Sequence, residues 1–180
     1  MANIKGTDIV ALRKILAGAG PGTEQKLLDR LSPEQRRLYE NAVSTTLSPV
    51  PLQTDLYVRA AELLYPNDPN RMVRLGQDMA NRSYSTVYKL FLRIPTMEFV
   101  ISRAASVWRS YFDAGEAEAR NLGGKHTSFV VRHFPSLPRK MREVIAGNIQ
   151  AIMGMAGAKN VQIQTCDDDP EAWEWKLSWE

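Results

Sequence analysis

The sequence predicts an α+β fold in a single domain, residues 1–180, with an N-terminal helical part over residues 1–114 and a β-β-α-β-β unit over residues 115–180. Three observations support this prediction. Two segments place apolar side chains at helical spacing, the chain between them changes to short alternating runs after Gly115, and the last run alternates tryptophan with polar residues. A helix lying on one face of a four-stranded antiparallel sheet would bury the apolar faces of both.

Composition and charge exclude several classes of protein. Of the 180 residues, 44% are hydrophobic and 24% are charged, which is typical of a globular chain rather than a disordered one. No apolar run reaches the roughly 18 residues that a transmembrane helix needs. The single cysteine, Cys166, excludes an internal disulfide, and no clean secretory signal is present, so we expect a cytoplasmic protein with no membrane span. The net charge of +3 is modest for a dedicated nucleic-acid binder, so we do not expect nucleic acid as a partner.

Proline, glycine and capping residues divide the helical part into short helices. Thr7 and Asp8 are expected to cap the first one. The run Ser32-Pro33-Glu34-Gln35 has the residues of a capping box with proline at the first helical position. The other predicted elements are a connector at 47–51, a helix from Thr54 or Asp55 to Leu64, a helix after Asp68-Pro69, a break at 81–83 and a short helix at 84–92.

The sequence predicts its clearest helix over residues 96–113, with Thr96 as the expected N-cap. Its apolar residues form one continuous stripe, and Gly115 supplies the stop signal. We expect this helix to be buried along its whole length. The stripe consists of Met97, Ile101, Ala104, Ala105, Trp108, Tyr111 and Phe112.

The C-terminal unit is predicted as two hairpins around a second long helix. Residues 116–122 and 125–134 are expected to be strands joined by Gly123-Gly124. The helix after Pro138 carries a second stripe: Met141, Ile145, Asn148, Ile149, Ile152, Met155 and Ala156. Strands at 161–166 and 173–179 follow, and in the last strand one face is formed by Trp173, Trp175, Leu177 and Trp179.

Several short motifs accompany this layout: Ile4-Lys5-Gly6-Thr7, residues 31–36, the tyrosine-rich helix 56–65, Leu75-Gly76 and the block 108–115. With these motifs the chain resembles an uncharacterised family of paralogous domains expanded in myxobacteria. The architecture is also similar to haem nitric oxide/oxygen-binding sensor domains and to vinyl-reductase-type ligand domains. This resemblance implies a small-ligand-sensing or regulatory domain.

The residues themselves disfavour a haem or metal cofactor, so none is predicted. A haem sensor of that type needs a histidine on the long helix to ligate iron, and residues 96–113 contain none. Both histidines, His126 and His133, fall in the predicted hairpin region. The run Tyr84-Ser85-Thr86 does not supply the Tyr-x-Ser-x-Arg propionate clamp of those sensors. The run Asp167-Asp168-Asp169 lacks the spacing of a calcium loop and predicts a solvated turn.

Two groups of residues are candidates for a binding site. Methionine and aromatic side chains on the two long helices and the last strand suit an apolar small-molecule cavity, although the same residues also suit a filled core. Asn148 interrupts an apolar stripe and needs a hydrogen-bond partner wherever it is buried. The candidate ligand pocket comprises Trp108, Tyr111, Phe112, Asn148, Ile152, Trp173 and Trp175. A candidate anion-binding corner at the start of the second long helix comprises Arg132, His133, Arg139 and Lys140.

No phosphate loop, nucleophile elbow or zinc-protease motif is present, so the chain is not expected to be an enzyme. We expect a non-catalytic small-ligand-sensing or regulatory protein-interaction domain whose ligand is an apolar or anionic small molecule. Two alternatives remain open. One is a DNA-binding transcriptional regulator that uses the helix-turn-helix-like segment 75–92. The other is a structural module that forms a homodimer, for example through an exposed edge at the tryptophan strand.

Overall fold

The computed structural model describes residues 1–83, 97–169 and 171–180, and it confirms the α+β fold. The predicted helix at 84–92, the N-cap Thr96 and the run Tyr84-Ser85-Thr86 lie outside these ranges. The helices of the described ranges are α1 (Thr7–Gly18), α2 (Thr23–Leu28), α3 (Pro33–Asn41), α4 (Val50–Leu64), α5 (Arg71–Ser83), α6 (Met97–Tyr111) and α7 (Arg139–Met155). The strands are β1 (Asn3–Lys5), β2 (Leu47–Pro49), β3 (Glu116–Gly123), β4 (His126–Arg132), β5 (Gln162–Cys166) and β6 (Ala172–Ser178).

Local signals placed some helix ends correctly. At the start of α3 the Ser32 hydroxyl accepts from the Gln35 backbone N–H at 3.2 Å, and the Gln35 side chain accepts from the Ser32 N–H at 2.9 Å. This confirms the predicted capping box. The expected break at 81–83 was wrong, because α5 continues through Ser83 while Met79 and Ala80 on its inner face are buried.

A small sheet near the N-terminus was not predicted. Strand β1 pairs antiparallel with β2, so part of the segment 47–51, predicted as a connector, is a strand. Helix α4 then begins at Val50, earlier than the predicted Thr54 or Asp55, since Pro51 is tolerated in a first helical turn. A three-residue strand is too short to show an alternation of apolar and polar residues. The two strands are also 44 residues apart in the chain, as Ile4 and Ser48 are, so their pairing is visible only in the folded protein.

The four-stranded sheet has the order β3-β4-β6-β5, with every neighbouring pair antiparallel. Phe129 on β4 lies opposite Trp175 on β6, and both belong to the core. Strand β6 is therefore an inner strand, and the suggestion that the tryptophan strand offers a free edge was wrong. The first hairpin turns at Gly123 and Gly124, both of which have positive φ.

The helical part and the sheet share one continuous core, which contains residues from α1, α4, α5, α7, β4 and β6. Helix α7 crosses α5 at very short range and also packs on β5, whereas α6 packs on β3 and contacts β1. Strand β1, which leads into α1, thus lies beside the C-terminal end of α6. Within the described ranges, no helix combines the length and the apolarity that a bilayer crossing requires.

Candidate ligand-binding cavity

A large cavity lies between α6, the inner face of the sheet, α7 and the start of α1. Its volume is about 580 Å³, within the range of small-molecule sites. The apolar part of its lining includes Ile4, Met97, Ile101, Ala104, Trp108, Phe112, Phe129, Met141, Ile145, Ile149, Ile152, Met153 and Leu177. The cavity is partly open and its lining is almost entirely apolar, so it favours an apolar organic ligand.

Helix α6 forms one wall of this cavity. The expectation that the helix is buried along its whole length was wrong: of its residues Met97–Tyr111, only Trp108 is fully buried. The apolar stripe predicted from the sequence is present, and much of it faces the cavity. Met97, Ile101 and Ala104 on this stripe all line the cavity and are partly exposed.

One end of the cavity is closed by an aromatic cluster. The Trp108 ring stacks on Phe112 at a centroid distance of 4.2 Å and lies 6.1 Å from Phe129 and 6.4 Å from Phe134. The Trp108 indole N–H donates to the Ala114 carbonyl at 2.9 Å. These contacts fix the indole, because a buried indole N–H needs an acceptor and the rings restrict its rotation.

The structure brings together five of the seven predicted pocket residues and leaves out two. Trp108, Tyr111, Phe112, Asn148 and Ile152 line the cavity. Trp175 does not, because it is fully buried beneath α7, where its indole N–H donates to the Arg142 carbonyl at 3.3 Å. Trp173 does not either: its N–H donates to the Phe134 carbonyl at 2.7 Å, and the Arg142 guanidinium lies 4.0 Å from its ring centroid. The sequence predicted that both tryptophans lie on the inner face of the sheet, but it could not predict which part of that face lines the cavity.

A polar corner interrupts the apolar lining where α1 meets α7. Asp8 is 3% exposed, and the Asn148 side-chain amide donates to its Oδ2 at 3.4 Å. The Asn148 Oδ1 is buried and has no hydrogen-bond partner among the described residues. Sequence analysis singled out Asn148 but assigned Asp8 only a capping role, and in the structure no side-chain cap is formed at this helix start.

Burial raises the pKa of Asp8 to about 6, from an ordinary value of 3.8. The hydrogen bond from Asn148 and the nearby Ser83 hydroxyl oppose this effect and lower the pKa by a smaller amount. The nearby Asp8 carboxylate also adds to the burial that raises the pKa of the Tyr57 hydroxyl on α4. The corner is therefore a buried acid in low-dielectric surroundings, at the edge of an apolar cavity.

Sequence comparison identifies the family. A family model described as "Protein of unknown function (DUF2378)" matches residues 34–180 of the chain. The chain belongs to this DUF2378 family. That result bears out the predicted resemblance to an uncharacterised domain family. No curated protein matches the sequence significantly.

Comparison with solved structures shows the fold that this DUF2378 chain shares. An H-NOX protein from S. oneidensis in the Fe(II)NO ligation state is 15% identical, with a TM-score of 0.71, and the match covers 98% of this chain and 99% of that chain. An oxygen-binding H-NOX domain related to soluble guanylate cyclases is 11% identical, with a TM-score of 0.63, and the match covers 97% of this chain and 92% of that domain. The Fe(II) unliganded form of a mutant H-NOX protein from K. algicida is 9% identical, with a TM-score of 0.65 and coverage of 98% and 96%. The predicted similarity to haem nitric oxide/oxygen-binding sensor architecture is thus confirmed.

The cavity residues of this DUF2378 chain do not fit a haem held by histidine or cysteine. Both histidines of the sequence, His126 and His133, are exposed on the hairpin and beyond it, and neither lines the cavity. Cys166 lies on β5, also outside the lining. The buried carboxyl of Asp8 adds an acidic group to the cavity, which is unfavourable for the propionates of a haem. In the described part of the chain, no group of three or more acidic, histidine or cysteine side chains forms a metal site.

In the predicted anion-binding corner, the three arginine and lysine side chains each have an acidic neighbour. Arg132 at the end of β4 lies 3.8 Å from Asp169. At the start of α7, Lys140 lies 2.9 Å from Glu143, and Arg139 lies 4.0 Å from it. His133 follows β4 with a positive φ and is exposed. Anion binding here stays a prediction.

The structure describes parts of two other segments that the sequence singled out. Asp167, expected in a solvated turn, forms an ion pair with the buried Arg142. In the helix-turn-helix-like segment 75–92, residues 75–83 belong to α5, whose Leu75 and Met79 are fully buried, and residues 84–92 lie outside the described ranges. The recognition helix of that alternative would begin near Ser83 and so lies almost entirely outside the described ranges, and DNA binding through this segment stays a prediction.

Proposed function

We propose that the protein is a non-catalytic sensor domain that binds an apolar small molecule in the cavity between α6, the sheet and α7, without haem. The observation that supports this most directly is the apolar stripe of α6: although the helix packs on β3, Met97, Ile101 and Ala104 line an open cavity of about 580 Å³ and are partly exposed. A stable domain rarely leaves such an apolar surface without an occupant or partner. The H-NOX-like fold adds support by analogy alone.

Ligand occupancy would be transmitted through the C-terminal end of α6. Asp113, just after this helix, accepts from the Asn3 backbone N–H at 2.6 Å and from the Asn3 side-chain amide at 2.8 Å. Phe112 forms a β-bridge with Ile4, which belongs to β1, as Asn3 does. A ligand that moves α6 on the sheet therefore pulls on β1, the strand that leads directly into α1. The signal is a change in packing between the helical part and the sheet.

Binding of a neutral fluorescent probe, N-phenyl-1-naphthylamine, tests this proposal. Ala104 on α6 lines the cavity, and Ala104→Trp fills that wall with an indole. We expect the wild-type protein to bind the probe with enhanced fluorescence and the variant to lose at least about tenfold in affinity. Ser102→Trp is the matched control, because Ser102 lies on the exposed side of the same helix.

Native mass spectrometry of the purified protein supplies a second readout, since a retained ligand adds a discrete mass. Probe binding that is equal in wild type, Ala104→Trp and Ser102→Trp would contradict the proposal. An absence of probe binding in all three proteins, together with a mass equal to that of the chain alone, would also contradict it.

A further inference from the structure

The polar corner of the cavity offers two hydrogen-bond acceptors, the Asp8 carboxylate and the Asn148 Oδ1, beside the neutral donors of Asn148 and Ser83. Asp8 is almost completely buried and lines the cavity, as does Asn148. The Asn148 amide N–H already donates to Asp8, so the Oδ1 that remains is an acceptor without a partner among the described residues. A buried acceptor left unpaired costs free energy, and it is most simply satisfied by a ligand that donates a hydrogen bond.

Among the residues that the structure describes, no cation pairs with Asp8. The two side chains that favour its ionised form are Asn148 and Ser83, which are neutral. Tyr57 on α4 is close enough to interact with the carboxylate but keeps its proton, because burial raises its pKa well above the ordinary value. Arg103, a cation of the cavity lining, is exposed on α6, where its guanidinium lies 5.2 Å from the Phe99 ring centroid. A buried carboxylate in such surroundings favours a cationic partner.

We propose that the ligand of this cavity is an apolar molecule that ends in a protonated amine, with the ammonium group beside Asp8 and Asn148 and the apolar body along α6 and α7. This inference rests on the proposed function, since it assigns the head group of a ligand for the same cavity. The ammonium donates to the Asp8 carboxylate and to the free Asn148 Oδ1, and both are acceptors. A carboxylate ligand of the same length would place a second negative charge beside Asp8 and is disfavoured.

Three probes with one common tail separate the head group from the apolar body. We would titrate the full-length protein calorimetrically with octylamine, octan-1-ol and octanoate near neutral pH. The expected order of affinity is octylamine, then octan-1-ol, then octanoate, with octylamine about tenfold or more tighter than the alcohol, as a charge-assisted hydrogen bond implies.

Variants of the two acceptors locate the head group. Asp8→Asn should weaken octylamine binding about tenfold or more and leave octan-1-ol within about threefold of wild type. Asn148→Ala should weaken the binding of both octylamine and octan-1-ol, because both donate a hydrogen bond to the Asn148 Oδ1. Asp55→Asn is the matched control for the loss of one negative charge, since Asp55 is exposed on α4 away from the cavity. Circular dichroism checks that each variant is folded.

The outcomes distinguish this inference from the proposed function. If all three probes bind with equal affinity in wild type and lose it in Ala104→Trp, the cavity binds apolar molecules but the amine assignment is wrong. Octylamine affinity that is unchanged in both Asp8→Asn and Asn148→Ala would also overturn the assignment. If none of the probes binds and N-phenyl-1-naphthylamine does not bind either, both proposals fail.

Discussion

Gly76 and Gly147 allow α5 and α7 to cross with their backbones in direct contact. A Cβ atom on Gly76 would lie 2.2 Å from the Val144 carbonyl oxygen, and one on Gly147 would lie 1.9 Å from the Val73 carbonyl oxygen. Each glycine therefore faces the backbone of the opposite helix. The crossing places α7 so that Asn148, the next residue after Gly147, meets Asp8 on α1.

Replacing either crossing glycine should destabilise the protein strongly. Gly147→Ala puts a methyl group against backbone atoms, which cannot move aside as a flexible side chain can, so we expect a loss of about 3 kcal/mol in the free energy of unfolding. Gly154→Ala in the same helix is the control, because no atom lies within 4 Å of its Cβ position. That change should gain about 0.5–1 kcal/mol from helix propensity. Urea denaturation measures both, and equal effects of the two substitutions would contradict the close crossing.

Stability should depend on the protonation of Asp8. Its pKa is raised to about 6 in the folded protein, against an ordinary value of 3.8, so the folded state holds this proton more tightly than the unfolded chain does. The stabilisation is fully present below about pH 4 and is lost as the pH rises through about 6, an effect of about 3 kcal/mol. The difference in the free energy of unfolding between wild type and Asp8→Asn should therefore fall by about this amount between about pH 4 and pH 7. Parallel pH profiles for the two proteins would show that the carboxyl is not buried as described.

The capping box of α3 predicts a smaller, local effect. Ser32→Ala removes the side-chain acceptor of the Gln35 N–H and should cost about 1 kcal/mol in the free energy of unfolding. Ser44→Ala, at an exposed position outside any helix, should change it little. If thermal denaturation shows the same midpoint for both variants, the cap contributes nothing measurable.

The link between α6 and β1 can be observed directly by hydrogen exchange. Asp113→Ala removes both acceptors of Asn3, so the Asn3 backbone amide should exchange faster than in wild type. Asp55→Ala, an exposed change on α4, should leave this rate unaltered. An unchanged Asn3 rate in Asp113→Ala would remove the proposed route from α6 to α1.

Mixing the protein with haemin tests the poor fit of its cavity to haem. Because His126 and His133 are exposed outside the lining, we expect no sharp Soret band of a histidine-ligated complex. The His126→Ala/His133→Ala double variant should give the same spectrum as wild type. A sharp band in wild type that is lost in the double variant would show that a histidine reaches the iron.

Several predictions from the sequence hold because they depend on local patterns. The capping box at Ser32, the hairpin at Gly123-Gly124 and the inner-face alternation of β6 are each set within a few residues by backbone geometry and side-chain spacing. The absence of histidine from residues 96–113 is likewise a property of the chain alone. Together these features specify the α+β order and weaken the case for histidine-ligated haem.

The cavity and its polar corner were decided only by the tertiary structure. The apolar stripe of α6 looks the same in sequence whether it meets a helix, a sheet or empty space, so its half-exposure was not predictable. Asp8 is 140 residues from Asn148 in the chain, and it resembles an ordinary helix-start residue until the α5–α7 crossing at Gly76 and Gly147 brings the two together. Sequence spacing determines which side chains share a face of one element, whereas the burial of a charge depends on which elements meet, and that is determined by packing over the whole fold.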